Sequence, residues 1–217
     1  MESCISEVKK QVFPILNQIN ENGVVVTKVS NLLLDEEADY LIEKAKESGF
    51  KRSTVIGSEE NELSKKRTSS TSFLKKDEDN VITCIEKRIA TVAQQPSANL
   101  EPLQVTMYSE SQKYEPHHDW FSNATEGKHG QRTMTVFSYL NTLDEGCGGA
   151  TAFPLLKNED GEPLKVFPQK GNAVMWSNKK TTGELENLTL HGGEQVNCKA
   201  TQKYGLNAWF RDKKWYQ

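Results

Sequence analysis

From Leu103 to the C-terminal end the chain is written in short runs, LQVTMY, RTMTVFSYL, LKVFP, NAVMW and YGLNAWF, set apart by Gly, Pro, Asn and Asp. Runs of this length, rich in Val, Thr and aromatic residues, suit strands, and their close spacing leaves no room for long helices between them. The pattern predicts a β-sandwich or jelly roll. The first hundred residues read differently. GVVVTKVSNLLL suits a strand, and in DEEADYLIEKAKESGF the residues Ala38, Leu41, Ile42 and Ala45 fall at helical spacing, with Asp35 as expected N-cap and Gly49 as expected stop. VITCIEKRIATVAQ places Ile82, Ile85, Ile89 and Val92 on a second helical stripe, expected to be core. The fold class expected is therefore mainly β, packed against N-terminal helices.

A chain of 217 residues accommodates one large domain, read here as 1–217, with 1–100 as strand and helix support and 101–217 as the β core. Residues 51–76, with seven basic residues against three glutamates and little apolar periodicity, read as a long mobile loop or hairpin. The net charge of -3 provides no general attraction to nucleic acid or an anionic membrane. No run approaches the roughly 20 apolar residues that span a bilayer, and MESCISEVKK lacks the apolar centre of a secretory signal. The chain as given reads as soluble. A removed leader or anchor would leave no trace, so the compartment stays open. Cys4, Cys84, Cys147 and Cys198 form no CxxC pair, which argues against a zinc knuckle or dense disulfide framework; inert thiols are expected, with a single disulfide among them left open.

The chemistry concentrates in YEPHHDWF, which supplies His117, His118 and Asp119. In a strand, side chains at i and i+2 share a face, so His117 and Asp119 can converge on one ion while His118 points away. The remaining histidines are His129 and His191, and His191 is the better third ligand because LTLHGGEQV carries two glycines that permit close backbone approach. Two imidazoles and one carboxylate on one face of an octahedron leave three positions open, the arrangement of non-haem Fe(II) oxygenases. A structural zinc site would be closed by four ligands.

RTSSTSFL, LQVTMYSESQKYEPHHDWF, RTMTVFSYLN, GGATAFP, FPQKGNAVMW, LTLHGG and KYGLNAWFR, taken in order, resemble the prolyl 4-hydroxylase family from about Arg67 to Arg211. The resemblance implies a double-stranded β-helix with flanking helices, and an Fe(II)- and 2-oxoglutarate-dependent dioxygenase that uses O2 and takes ascorbate as reductant. By the same matching His117, Asp119 and His191 are the iron ligands. Lys203 would pair with the far carboxylate of 2-oxoglutarate, with Tyr108 and Thr151 as hydrogen-bonding neighbours. Arg67, Ser69, Glu101, Tyr114, Arg132 and Trp209 would surround the peptide substrate. The implied reaction is hydroxylation of peptidyl proline to 4-hydroxyproline, in proline-rich or collagen-like peptides, coupled to decarboxylation of 2-oxoglutarate to succinate and CO2.

The chain departs from the family pattern in three places. Ser111 followed by Gln112 stands where the family commonly has glycine ahead of Tyr-x-x-His. The turn TLDEGCGGAT and the loop from His191 to Lys203 are each about two residues longer than usual, so Lys203 is aligned by KYGLNAWFR downstream, with Lys199 as alternative. Competing expectations are hydroxylation of another side chain such as lysine, or of a single proline in a folded protein, and a non-enzymatic peptide-binding module. The last has no use for a dicarboxylate anchor. Nucleic-acid dealkylation is disfavoured by the absence of a basic, aromatic-interleaved stripe.

Overall fold

The computed structural model describes residues 16–19, 25–53, 66–121, 130–144 and 146–215. Helix α1 (Asp35–Ser48) buries Ala38, Leu41, Ile42 and Ala45, the stripe expected from spacing. Its N-cap is Leu34, not Asp35. The Glu37 side chain accepts from the Leu34 amide at 2.9 Å, and Asp35 becomes one of three acidic residues in the first turn, facing the positive end of the helix. Gly49 ends the helix at φ 81°, a left-handed value that costs glycine nothing. Helix α2 (Asn80–Val92) is capped by Asp79, whose carboxylate accepts from the Val81 and Ile82 amides at 2.9 Å. Ile82, Ile85 and Ile89 are fully buried, and Val92 packs at the margin of the same core. No helix among the described residues is long and apolar enough to cross a membrane.

The described residues form twelve strands: β1 (Leu16–Ile19), β2 (Val25–Val29), β3 (Lys51–Arg52), β4 (Ser70–Phe73), β5 (Gln104–Tyr108), β6 (Tyr114–His117), β7 (Arg132–Tyr139), β8 (Thr151–Lys157), β9 (Pro163–Val166), β10 (Ala173–Ser177), β11 (His191–Gly193) and β12 (Lys203–Arg211). They form an eight-stranded sheet in the order β1-β2-β10-β7-β12-β5-β4-β3 and a four-stranded sheet in the order β6-β11-β8-β9. All pairings are antiparallel, as the expected jelly roll requires. The described ends of the 51–76 segment pair antiparallel, in line with the hairpin alternative. Lys51–Arg52 and Thr71–Ser70 pair as strands, and residues 54–65 lie outside the described residues.

The large sheet divides its side chains by parity. Val105, Val136, Leu206, Ala208 and Phe210 face the two helices and share one core with their stripes. Phe137, Tyr139, Val174 and Trp176 face the small sheet and pack with Phe153, Leu156, Leu164 and Val166. Because successive strand residues alternate, Lys203, Gly205, Asn207 and Trp209 of β12 turn toward that second layer, between the sheets. Gly205 is required there, since a Cβ would stand 2.3 Å from the Phe137 ring.

Cys147 and Cys198 form a disulfide across 51 residues, and among the described residues no cysteine is free, so the expectation of mainly inert thiols is corrected. The bond ties together the two loops that are longer than the family pattern, and a Gly148–Val196 bridge runs beside it. In the chain-entropy view, closing a loop of this length is worth about 4 kcal/mol.

Candidate metal centre and its cavity

β6 and β11 pair so that His117 and His191 stand directly opposite each other. Gly192 makes the approach feasible, because a Cβ there would sit 2.8 Å from the Tyr114 carbonyl. β6 ends at His117, however, and Asp119 lies two residues on, in a bend. Strand parity thus accounts for His117 but not for Asp119. The ligand atoms of His117, Asp119 and His191 all fall within 4.8 Å of one another. His118 turns away, its Nε2 2.9 Å from the Asn187 carbonyl and its ring stacked on Trp120. His129 lies outside the described residues.

The chemistry of the three groups suits a cation. His117 Nδ1 lies 2.9 Å from the Glu115 carbonyl and His191 Nδ1 2.9 Å from the Thr189 carbonyl. A carbonyl only accepts, so each Nδ1 carries the proton and each Nε2 keeps its lone pair. Burial, then the charge of His191, pushes His117 down to about 3, and burial lowers His191 as well. Both imidazoles are neutral near pH 7. Burial alone would raise Asp119, but His191, His117 and Arg132 and a hydrogen bond from Thr135 outweigh it and hold the carboxyl at about 2. The separations of 3.8 Å (His117 Nε2 to Asp119 Oδ1) and 3.6 Å (His191 Nε2 to Asp119 Oδ2) are therefore spacings between ligands, not ion pairs.

A cavity runs from these groups to Lys203. Lys203 is 2% exposed, with its Nζ 5.2 Å from the centroids of the Tyr108 and Phe137 rings and 5.8 Å from that of Tyr139. Burial lowers its pKa to about 7, with the charge of Glu194 acting in the opposite direction. An ammonium enclosed by aromatic rings is a receptor for a carboxylate. Lys199, by contrast, is exposed. Tyr108 and Thr151 also line the cavity, and Thr151 Oγ1 lies 2.9 Å from the Tyr139 hydroxyl. A neutral imidazole pair, an ionised carboxylate and a buried cation in one cavity fit Fe(II) together with a dicarboxylate.

A model of the 2OG-Fe(II) oxygenase superfamily matches residues 103–211, the stretch that holds all of these groups. The chain belongs to that superfamily. It is 36% identical over 201 residues to prolyl 4-hydroxylase 5 of Arabidopsis thaliana, covering 83% of this chain and 66% of that protein. It is 39% identical over 179 residues to probable prolyl 4-hydroxylase 3 of the same plant, covering 75% and 61%. The chain thus spans less than two thirds of the length of the curated relatives it matches. Among solved structures, the viral collagen prolyl hydroxylase vCPH of Paramecium Bursaria Chlorella virus-1, in complex with 2OG, superposes with a TM-score of 0.67 at 29% identity, covering 85% of this chain and 94% of that one. A Pseudomonas putida prolyl-4-hydroxylase, 17% identical with a TM-score of 0.58, shares the fold.

The six residues expected around a peptide separate into two groups. Arg67, Tyr114 and Trp209 line the cavity. The Tyr114 ring stacks on His117 at 3.6 Å between centroids, and the Arg67 guanidinium lies 4.8 Å over Tyr114. Ser69, Glu101 and Arg132 stand behind them. Ser69 accepts from Arg67 Nε at 3.2 Å and meets Ser53 at 2.8 Å. Glu101 receives two hydrogen bonds from Arg132, at 2.7 and 2.9 Å, and a further one from Arg211, while the Arg132 guanidinium carbon lies 3.7 Å from the centroid of the Trp209 ring. These three brace the wall of the cavity. The composition of the sequence carried no sign of Arg211, Tyr139, Trp176 or Asn207 at the site, since their roles arise from contacts distant in sequence.

Proposed function

We propose that this chain hydroxylates peptidyl proline to 4-hydroxyproline, with 2-oxoglutarate and O2 as co-substrates that leave as succinate and CO2. The observation that carries the reading is the shared cavity, in which the buried Lys203 ammonium faces the His117, Asp119 and His191 group. That pairing selects a short dicarboxylate whose one end meets the metal and whose other end meets Lys203.

His117, Asp119 and His191 would hold Fe(II), which when bound would activate the oxidant O2, and ascorbate would serve as the metal's reductant. The remaining work belongs to the protein. Lys203 fixes the far carboxylate by a charge-assisted bond, with Tyr108 and Thr151 beside it. Tyr114 and Trp209 offer flat aromatic faces to a proline ring, and the Glu101–Arg132 and Arg67–Ser69 pairs hold those faces still. Closely packed rings around the centre exclude bulk water. An extended proline-rich or collagen-like peptide arrives preformed as a polyproline II helix, which lowers its ordering cost.

A peptide panel tests the reading. Proline-rich peptides should stimulate succinate release from the Fe(II)-loaded protein with one hydroxyproline formed per succinate, measured by mass spectrometry. Hydroxylysine in its place, or 2-oxoglutarate turnover that no peptide stimulates, would overturn the prolyl assignment.

A further inference from the structure

One buried side-chain network at the centre has no place in the ligand set or the substrate wall. Thr135 Oγ1, on β7, donates to Asp119 Oδ2 at 2.7 Å, and Asn178 Nδ2 donates to Thr135 Oγ1 at 2.9 Å. Thr135 and Asn178 are both 0% exposed. We propose that Thr135, oriented by Asn178, is the positioning residue that presents Asp119 to the metal as a one-oxygen ligand. The inference rests on the metal-centre reading above.

The direction of the network follows from counting protons. The ionised Asp119 carboxylate only accepts, so the single Thr135 proton goes to it. Thr135 can then only accept from its other neighbour, which fixes the Asn178 amide with Nδ2 toward the hydroxyl. The opposite amide orientation would set two acceptors against one proton. Asn178 is itself pinned through its backbone, its N–H donating to the Thr133 carbonyl at 2.8 Å and its carbonyl accepting from the Glu186 amide at 3.0 Å. A rigid strand neighbour therefore dictates the rotation of a ligand that itself lies in a bend, outside any strand.

The consequence is one of coordination number. With Oδ2 engaged by Thr135, Asp119 offers its other oxygen, and the three protein ligands occupy three of six positions. A carboxylate free to chelate through both oxygens would take a fourth. Only two positions would remain, too few for a chelating 2-oxo acid together with dioxygen.

The test uses the whole chain with Fe(II) or Co(II) under anaerobic conditions, comparing wild type with Thr135→Val, Thr135→Ser and Asn178→Ala. Thr135→Val should weaken metal binding by about 10–100-fold, the usual cost of losing a partner behind a metal ligand. It should also lose the visible charge-transfer band that a 2-oxo acid gives on chelating Fe(II). Thr135→Ser, which restores the proton donor, should bring back both within a few-fold, and Asn178→Ala should fall between. Equal metal affinity and an intact band in Thr135→Val would overturn the inference. So would equal losses in Thr135→Val and Thr135→Ser, which would make the residue a packing element. If Thr135→Val does not fold, the Asn178→Ala protein decides, and wild-type affinity and band there remove the orienting role. Failure of the wild type to bind either metal would take down the metal centre itself, and this inference with it.

Discussion

The two faces of β12 do different work with the same backbone. Toward the helices it presents Leu206, Ala208 and Phe210, all at 0–1% exposure in a mainly apolar core. Toward the small sheet it presents Lys203, Asn207 and Trp209, which line the cavity. Both faces are buried, yet one stabilises the fold while the other holds a charge that burial opposes. The contrast teaches that the chemistry here is tolerated by the fold, carried on a strand whose opposite face anchors it.

The largest effect expected on this comparison comes from the stabilising face. Phe210→Ala should cost about 3–5 kcal/mol of stability. Protein that remains folded should bind 2-oxoglutarate as before, read by denaturant unfolding beside calorimetric titration. A matching loss of affinity would mean the faces are coupled.

The inner face should behave in the opposite sense. Lys203→Met should weaken 2-oxoglutarate binding by roughly 10–150-fold, the worth of a hydrogen bond to a charged group, and should leave the melting temperature unchanged or higher. pH sharpens this test. The unfolded lysine keeps its proton to about 10.5, whereas the buried one loses it at about 7. Between these values the unfolded state holds more protons, so the ligand-free protein should gain stability as pH rises from 7 toward 10.5, and this gradient should vanish in Lys203→Met. Affinity for the dicarboxylate should fall over the same range, with proton uptake on binding. A pH-independent affinity from 6 to 9 would contradict a buried Lys203 anchor.

The smallest effect lies outside β12 and controls for both faces. Ser111 is exposed and sits at φ 64°, the left-handed region, in the turn where the family commonly has glycine; its amide donates to the Val196 carbonyl at 2.8 Å. The serine holds this left-handed conformation at a steric cost that glycine would not bear. Ser111→Gly should therefore stabilise by about 1 kcal/mol, seen as a raised melting temperature with no change in 2-oxoglutarate binding.

What the amino-acid order determined by itself is whatever depends on local pattern. The period of Ala38, Leu41, Ile42 and Ala45 and of the Ile82 stripe produced two amphipathic helices, and the short β-branched and aromatic runs produced strands with the alternation that turns Lys203 inward. Residue chemistry made His117, Asp119 and His191 candidates, and the family resemblance of the segments around them singled them out. The tertiary structure alone decided the rest. Cys147 and Cys198 meet only because two lengthened loops lie side by side, and Asp119 reaches the centre from a bend that strand parity does not govern. Ser69 and Arg132 contact the cavity-lining Arg67 and Trp209, with Glu101 behind Arg132, and Thr135 and Asn178 enter the site as hydrogen-bond partners. Each of these depends on which distant side chain supplies a donor, an acceptor or a countercharge, and spacing along a chain does not encode that until the sheets are folded together.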